Sequence, residues 1–424
     1  MFSLNLIFGI DGYSLLFIYL SSMLIPLCMF YSYFNLRKNH ADFIYYYNMF
    51  LFSVLVLLLL VFSSMDLLFF YVCFEMILLP FFILIGISSY RKRRIHASYL
   101  FFFYTLVGSF LMLFTILNLY SVANTTSIEV LLNNDFSFYR ESFLWSLLFI
   151  SLAIKVPMFP FHIWLPEAHV EAPTEGSVIL AGVLLKLGTY GFLRFLFPLF
   201  PCATYYFSPV VLLICCLGIF YTTSVTLRQV DVKRVIAYSS VGHMNICMMG
   251  LFSFLLFSIQ GSIHLMLAHG IVSGGLFFMV GMLYNRFHTK IFKYYGGIIY
   301  IMPLFSFFFF FFTIANISFP LLSNFVGEFL IFLGLVYSFN YISLFFCSFG
   351  VFFTVVYSIW LYNRVIFLLP SFVEKGFDLN FMEICILTSL LFFVITLGVY
   401  PNIIFSFLEL STLYYNWELL FIFG

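Results

Sequence analysis

Two lysines lie deep inside apolar stretches of this chain of 424 residues. Lys155 and Lys186 each lie near the middle of an apolar run long enough to cross a bilayer, and Pro157 and Pro160 closely follow the first lysine. A charge at bilayer depth costs at least about 2.5–3.5 kcal/mol on insertion scales, so its usual explanation is functional. Lipid tolerates a proline-broken helix only where protein or a wet cavity satisfies the freed backbone groups. Lysines beside a broken helix therefore indicate a proton or cation translocator.

Two carboxylates accompany the lysines within the apolar runs. Glu75, in CFEMILLPFF, could act as a switch for Lys155, because an ionised carboxylate nearby stabilises the ammonium and its withdrawal favours proton release. A purely structural ion pair is the alternative for these two residues. Lys186 is then interpreted as the next station of a relay, with snorkelling as the alternative. Glu328, in NFVGEFLIF, is interpreted as the terminal proton carrier.

Three histidines lie in the same apolar part of the chain, His243, His264 and His269. Imidazole can relay a proton near neutral pH, but a lone histidine in a membrane helix is as often a satisfied interhelical hydrogen bond. Both explanations remain open for His243 and His269, and the relay is less favoured for His264.

The composition is that of an integral membrane protein. Hydrophobic residues make up 64% of the chain and charged residues 8%, against about 25% charged in an average soluble domain. The net charge of +1 argues against a nucleic-acid partner. None of the eight cysteines forms a C-x-x-C pair, so no metal or iron–sulfur site is expected. The 65 phenylalanines suggest the coding bias of an AT-rich organellar genome, and hence a mitochondrial origin.

Apolar runs of about 20 residues predict an all-α polytopic membrane protein with about twelve transmembrane helices and a single membrane domain over residues 1–424. The tenth run is too long for one span, and the segment from Ser318 to Asn324, which contains Pro320, predicts a second broken helix. The predicted spans are 12–34, 43–64, 66–88, 97–121, 143–164, 176–200, 207–227, 234–256, 259–284, 298–337, 342–363 and 380–400.

The basic residues test this helix count. With twelve spans, fourteen of the 18 lysines and arginines fall in loops on one side of the membrane. A missed helix would distribute these basic residues over both sides of the membrane. The side that carries them is expected to be the cytoplasm-like face. Both termini then lie on the opposite face. The two broken helices are five spans apart, so they predict inverted five-helix repeats, approximately 66–200 and 207–363.

Several motifs resemble a known family of membrane proteins. They are GIDGYSL, FEMILLPFFILIG, KVPMFPFHIWLPEAHVEAPTEGSVILAGVLLKLGTYGFLRF, QVDVKRVIAYSSVGHMN, LAHGIVSGGLFF and NFVGEFLIF. Together they resemble the antiporter-like membrane-arm subunits of proton-pumping NADH:quinone oxidoreductase, respiratory complex I, and more loosely the subunits of Mrp-type cation/proton antiporters. The resemblance implies a proton relay on matching residues of this chain, which are Glu75, Lys155, Lys186, His243, His269, Glu328 and, near the broken helix, His162.

The chain departs from the family pattern in three respects, one of which is a shortened loop near Val122. The family usually has fourteen helices, and GIDGYSL normally opens the third, so the first two helices are expected to be absent. Glu171 and Glu175 stand where bacterial relatives tend to have uncharged residues, and the sequence offers no physical account of them.

The resemblance also implies what lies outside this chain. NADH, FMN, iron–sulfur clusters and ubiquinone are expected in other subunits, with no cofactor and no metal here. The expected partners are the other membrane-arm subunits, including neighbouring antiporter-like subunits, and the lipid bilayer. The expected location is the mitochondrial inner membrane, with the basic loops in the matrix and the termini in the intermembrane space. A stand-alone antiporter and a bis-histidine haem protein are the alternatives, although the histidine spacing fits haem poorly.

Overall fold

The computed structural model describes residues 7–36, 41–87, 93–134, 136–367 and 377–409. Within these ranges the regular structure is helical, and the only β pairing is three isolated bridges, Phe8–Ser64, Asp66–Ser127 and Asp231–Ile291. Nine helices of this described part are long and apolar enough to cross a membrane. The prediction of an all-α polytopic membrane protein is therefore confirmed.

The helices run as follows: α1 Gly12–Leu36, α2 Ala41–Ser63, α3 Leu67–Met76, α4 Leu78–Ile87, α5 Arg93–Ala123, α6 Ile128–Leu132, α7 Phe138–Lys155, α8 Trp164–Glu171, α9 Thr174–Ile179, α10 Leu185–Gly191, α11 Phe197–Leu199, α12 Pro201–Thr226, α13 Val232–Leu251, α14 Leu256–Phe287, α15 Ile298–Ile301, α16 Pro303–Asn316, α17 Ser323–Tyr337, α18 Tyr341–Ile366 and α19 Phe381–Val399. Two π-helical turns, Leu180–Leu184 and Phe192–Leu196, join α9, α10 and α11 into one continuous rod, Thr174–Leu199.

Each predicted span coincides with a helix or a broken helix. Three of the predicted spans are not among the nine long apolar helices, and each exception has a physical reason. The helix α7 carries Arg140, Glu141 and Lys155; α13 is rich in polar residues; and the tenth span is divided into the two shorter helices α16 and α17. The predicted sidedness and the inverted repeat remain predictions, and five of the loop cations on which the sidedness depends lie outside the described residues: Arg37, Lys38, Arg91, Lys92 and Lys375.

The first helix break differs in extent from the prediction. A span over 143–164 was expected, but α7 begins at Phe138 and stops at Lys155, and the helix resumes as α8. Proline has no N–H to continue the ladder and its ring clashes with the preceding turn, so Pro157 and Pro160 strongly disfavour a helix here. The carbonyl of Ile154 instead accepts a hydrogen bond from the indole N–H of Trp164 at 3.0 Å. This bond satisfies a backbone group that lipid could not.

The second break occurs where the sequence predicts it. The helix α16 ends at Asn316, α17 begins at Ser323, and the residues between them form a turn around Pro320. The helix α19 packs directly on this turn, because a Cβ on Gly398 would clash with the carbonyl oxygen of Leu321. Protein, rather than lipid, therefore covers the irregular backbone here, as the bilayer requires.

Two rods form the enclosed centre of the molecule. The most apolar 18-residue stretches of Thr174–Leu199 and of α14 are completely buried, whereas the other spans expose part of their surface. Gly270 of α14 approaches Gly182 so closely that a Cβ there would lie 2.9 Å from the Gly182 carbonyl oxygen. The sequence GIVSGG, which begins at Gly270, thus serves close helix packing, as its small residues predict. These two rods carry Lys186 and His269.

Candidate functional site: a buried chain of ionisable side chains

Lys186 and His269 are in direct contact at the centre of the protein. Lys186 lies on α10 between the two π-helical turns and has no exposed surface. Its Nζ donates a hydrogen bond to the carbonyl oxygen of Ala181 at 2.5 Å and lies 3.1 Å from Nδ1 of His269 on α14. The partner of this lysine is therefore an imidazole of another helix, which the sequence of its own helix could not reveal.

His243 and Glu328 form a second contact. Nδ1 of His243 on α13 lies 3.0 Å from Oε1 of Glu328 on α17, and both side chains are buried. Small residues allow α14 and α17 to approach each other, because a Cβ on Gly327 would lie 2.8 Å from the backbone N of Leu265. The sequence predicted both residues as relay stations, and the fold makes them neighbours.

The two contacts join into one chain of side chains. The imidazole rings of His243 and His269 lie 5.4 Å apart, centroid to centroid. The order is therefore Lys186, His269, His243 and Glu328, which brings together four of the seven predicted relay residues. A neutral imidazole accepts a proton on one nitrogen and releases one from the other, so two histidines can connect an amine to a carboxyl group. Nε2 of His243 is buried without a hydrogen-bond partner and remains able to accept or donate.

Lys155 lies outside this chain and contacts an aromatic ring. Its Nζ is 4.1 Å from the ring centroid of Phe74, a cation–π contact at the C-terminal end of α7. Glu75 is the next residue of α3; it interacts electrostatically with Lys155, while its Oε1 is buried without a hydrogen-bond partner. Within the described residues the two charges are therefore neighbours without a direct ion pair at 4 Å or less.

The helices that carry the two lysines are packed together. A Cβ on Gly188 would lie 3.0 Å from the carbonyl oxygen of Leu152 and 3.1 Å from Cβ of Lys155. Gly188 follows Lys186 by two residues on α10, so the end of α7 and the middle of the central rod touch at the level of the lysines. The structure thus places Lys155 beside the buried chain, although no direct side-chain contact joins it to Lys186.

His162 lies in the first helix break, among aromatic side chains. Its ring packs at 5.1 Å from that of Tyr221, at 5.9 Å from that of Phe159 and at 6.5 Å from that of Tyr238, centroid to centroid. The residue is buried, and its Nδ1 has no hydrogen-bond partner. The structure therefore separates His162 from the chain formed by Lys186, His269, His243 and Glu328.

Sequence reasoning missed a group of buried polar residues, because it assigned residues 165–175 to a loop outside the spans. His169 of α8 has no exposed surface, stacks on Phe277 at 4.6 Å, and has no hydrogen-bond partner on either ring nitrogen. Glu175 is buried and accepts hydrogen bonds from Thr174 at 2.8 Å and from Tyr47 at 3.1 Å. The motif PEAHVEAPTEG was the signal, since it concentrates ionisable residues beside a helix break.

Two lysines hold the C-terminal end of α8. Lys290 donates to the carbonyl oxygen of Val170 at 2.6 Å, and Lys233 donates to that of Ala172 at 3.1 Å. The last carbonyls of a helix lack partners within the helix and carry partial negative charge, which cations stabilise. Lys233 and Lys290 therefore fix the position of α8.

The chain belongs to the NADH:quinone oxidoreductase/Mrp antiporter family of transmembrane subunits, whose model matches residues 64–354. It is similar to a protein named NADH-ubiquinone oxidoreductase chain 4 from Acanthamoeba castellanii, with 49% identity over 96% of this chain and 82% of the relative. Proteins of the same name from Marchantia polymorpha and Arabidopsis thaliana are 47% and 48% identical over the same shares.

Solved structures agree with this assignment. A chain of the respiratory complex I from Thermus thermophilus superposes with a TM-score of 0.86 at 27% sequence identity, over 97% of this chain and 86% of that one. A chain of the Mrp complex from Dietzia also reaches a TM-score of 0.86, at 17% identity over 94% of this chain. The second likeness concerns the fold alone.

Proposed function

We propose that this chain is a proton-translocating subunit of the membrane arm of NADH:ubiquinone oxidoreductase. The observation that carries the proposal is the continuous buried chain of Lys186, His269, His243 and Glu328. The names of the relatives, at 47–49% identity over 96% of the chain, support the assignment to this enzyme. NADH oxidation and quinone reduction then take place in other subunits, which hold the FMN, the iron–sulfur clusters and the ubiquinone.

The buried chain moves a proton by successive short transfers. A charged Lys186 donates a hydrogen bond to Nδ1 of His269, which is the geometry for passing a proton to that ring. His269 then passes charge to the adjacent His243, directly or through a bridging water, and His243 is hydrogen-bonded to Glu328. Every transfer joins groups that can carry a proton in one form and accept it in the other.

Lys155 and Glu75 act as the control pair in this proposal. An ionised Glu75 stabilises the Lys155 ammonium, and that charge lies beside the helix of Lys186. A change of charge or position at this pair alters the field at Lys186, because electrostatic interactions are strong where water is excluded. Signals from neighbouring membrane-arm subunits are expected to act at this point.

The proposed location is the mitochondrial inner membrane, with the basic loops in the matrix. The proposal gives this chain no cofactor and no metal of its own. In the described residues no group of three or more histidine, cysteine, aspartate or glutamate side chains could hold a metal ion.

Lys186→Met tests the proposed function, because it removes the first proton carrier and keeps an unbranched apolar side chain. In the assembled complex, proton translocation per NADH oxidised should fall, while native electrophoresis should still show this chain in the NADH-oxidising band. Lys293→Met, which alters an exposed loop lysine, is the matched control and should change neither result. Unchanged proton translocation by an assembled Lys186→Met complex would contradict the proposal.

A stand-alone cation/proton antiporter is the second candidate, favoured by the structural likeness to a chain of the Mrp complex. The same buried charges would serve it, but the chain would then migrate apart from NADH dehydrogenase activity and would exchange cations for protons alone in liposomes.

A further inference from the structure

Arg194 is a buried charge that the proposed relay does not use. It lies in the π-helical turn Phe192–Leu196 of the rod Thr174–Leu199, and its side chain is buried. A guanidinium does not lose its proton in a protein, so Arg194 keeps a positive charge although burying a charge is costly. The usual explanation for a charge retained inside a membrane protein is functional.

The guanidinium group of Arg194 ties together three segments at one end of the rod. It forms an ion pair with Asp11, which directly precedes α1, and contacts the sulfur of Met65 in the turn between α2 and α3. It also donates a hydrogen bond to the hydroxyl group of Tyr13 at 2.6 Å. The side chain of Asp11 is 37% exposed and that of Arg194 is 7% exposed. The carboxylate therefore lies at the surface, on the predicted intermembrane-space side, and the positive charge lies below it.

Lys186, Tyr190 and Arg194 follow one another at intervals of four residues along the rod. Residues four positions apart on a helix lie on the same face. Tyr13 confirms this arrangement, because its ring lies 6.0 Å from that of Tyr190, centroid to centroid, while its hydroxyl group binds Arg194. At about 1.5 Å per residue, Arg194 lies about 12 Å from Lys186 along the rod. The positive charge therefore lies between the surface at Asp11 and the first carrier of the proposed relay.

Packed aromatic rings surround Tyr190, between Arg194 and Lys186. The rings of Tyr13, Phe17, Phe62 and Phe70 lie 5.2–6.3 Å from that of Tyr190, centroid to centroid. These five residues, which form an aromatic plug, are buried with at most 3% of their surface exposed. The hydroxyl group of Tyr190 donates to the carbonyl oxygen of Phe62 at 2.9 Å. An apolar constriction of this kind excludes the water that would carry a proton through it.

We infer that Arg194 and the aromatic plug seal the Asp11 face of the membrane against protons, so that Lys186 exchanges protons only through the relay. The inference rests on the proposed function and adds to it a barrier against leakage. A fixed positive charge repels protons on their way to Lys186, and the plug withholds the water that they would need. Asp11 positions the guanidinium, and water screens this exposed carboxylate more strongly than the buried cation.

Arg194→Met tests the seal, because it removes the charge and keeps a long unbranched side chain. The measurement is the passive proton flux, without NADH, through the assembled complex in liposomes that carry a pH difference. We expect the flux to rise by up to about tenfold, which is the effect of one unit charge about 12 Å away at an effective dielectric constant of about 20. Arg194→Lys keeps the charge and should remain tight. Arg140→Met, which changes an exposed arginine near the start of α7, is the control.

Asp11→Asn separates the seal from a purely structural clamp. It breaks the ion pair but leaves the guanidinium, its hydrogen bond to Tyr13 and the aromatic plug in place. The inference expects this complex to remain as tight as the unmodified one. Equal leaks through Asp11→Asn and Arg194→Met would overturn it, because the lost attachment would then explain both. Arg194→Gln, which can still donate to Asp11 and Tyr13, replaces Arg194→Met if the methionine variant does not assemble.

Lys186→Met, added to Arg194→Met, shows whether the leak runs through the relay. The double variant should be tight again, because the first carrier is missing, and a leak that persists would overturn the inference. A tight Arg194→Met complex whose NADH-driven translocation still depends on Lys186 would also overturn it and leave the proposed function standing. Translocation that does not depend on Lys186 would contradict the proposed function instead.

Discussion

Lys155 lies against the ring of Phe74, and the nearby Glu75 leaves one carboxylate oxygen without a partner. A structural ion pair would place the two charges in direct contact and satisfy their remaining hydrogen bonds, because burying charges is otherwise costly. The two charges are close enough to interact electrostatically, but they are not in direct contact. The distance between them can therefore change. At the scale of single residues, this geometry supports the proposed switch.

Glu75→Gln distinguishes these two explanations, because it removes the charge and keeps the shape. We expect slower proton translocation, since the field that holds the Lys155 ammonium is lost, with a change in the stability of the complex of less than about 0.5 kcal/mol. Translocation in sealed vesicles and the thermal unfolding midpoint measure the two effects. Glu129→Gln, which changes an exposed side chain of α6, is the control. A loss of stability with unaltered translocation would support the structural pair instead.

Glycines set the distances between the helices that carry the relay. Gly327 and Gly261 allow α17 to lie directly on α14, and a Cβ on Gly327 would lie 2.9 Å from the carbonyl oxygen of Gly261. Because Glu328 is the next residue, this contact also fixes the carboxyl group beside His243. At the scale of the elements, the proposed relay depends on helices that approach each other closely through small residues.

Gly327→Ala should therefore disturb both packing and proton transfer. The added methyl group would meet backbone atoms that cannot move aside, so we expect a loss of about 1–3 kcal/mol in stability and slower translocation. Thermal unfolding and native electrophoresis of the complex measure the first effect. Gly86→Ala is the matched control, because no atom lies within 4 Å of a Cβ at that position. Equal stability of the two variants would show that the α14–α17 contact is not tight.

At the scale of the whole molecule, the sequence reveals local features but not contacts between distant residues. Apolar runs located the helices of the described residues, and Pro157, Pro160 and Pro320 located both helix breaks, because these signals are local. The contact between Lys186 and His269 joins residues 83 positions apart, and that between His243 and Glu328 joins residues 85 positions apart. No periodicity encodes such pairings, which the packing of several helices decides.

The burial of residues 165–175 was missed for a related reason. Residues such as His169 and Glu175 read as a polar loop, because their hydrophilic character outweighs the apolar neighbours in any window. Only the folded chain shows that α8 is enclosed and that Lys233 and Lys290 hold its C-terminal carbonyls. Sequence reasoning thus singled out the buried residues of the proposed relay but not the polar groups around them.

The central claim is that Lys186, His269, His243 and Glu328 act as one connected relay, and a double-mutant cycle tests it most directly. The measurement is the rate of proton translocation by assembled complexes with Lys186→Met, Glu328→Gln and both changes. In a single connected relay, Lys186 and Glu328 act in series. The account then predicts that the double change is no slower than the slower single change. Multiplying effects would contradict it, because they would mean that Lys186 and Glu328 serve independent routes.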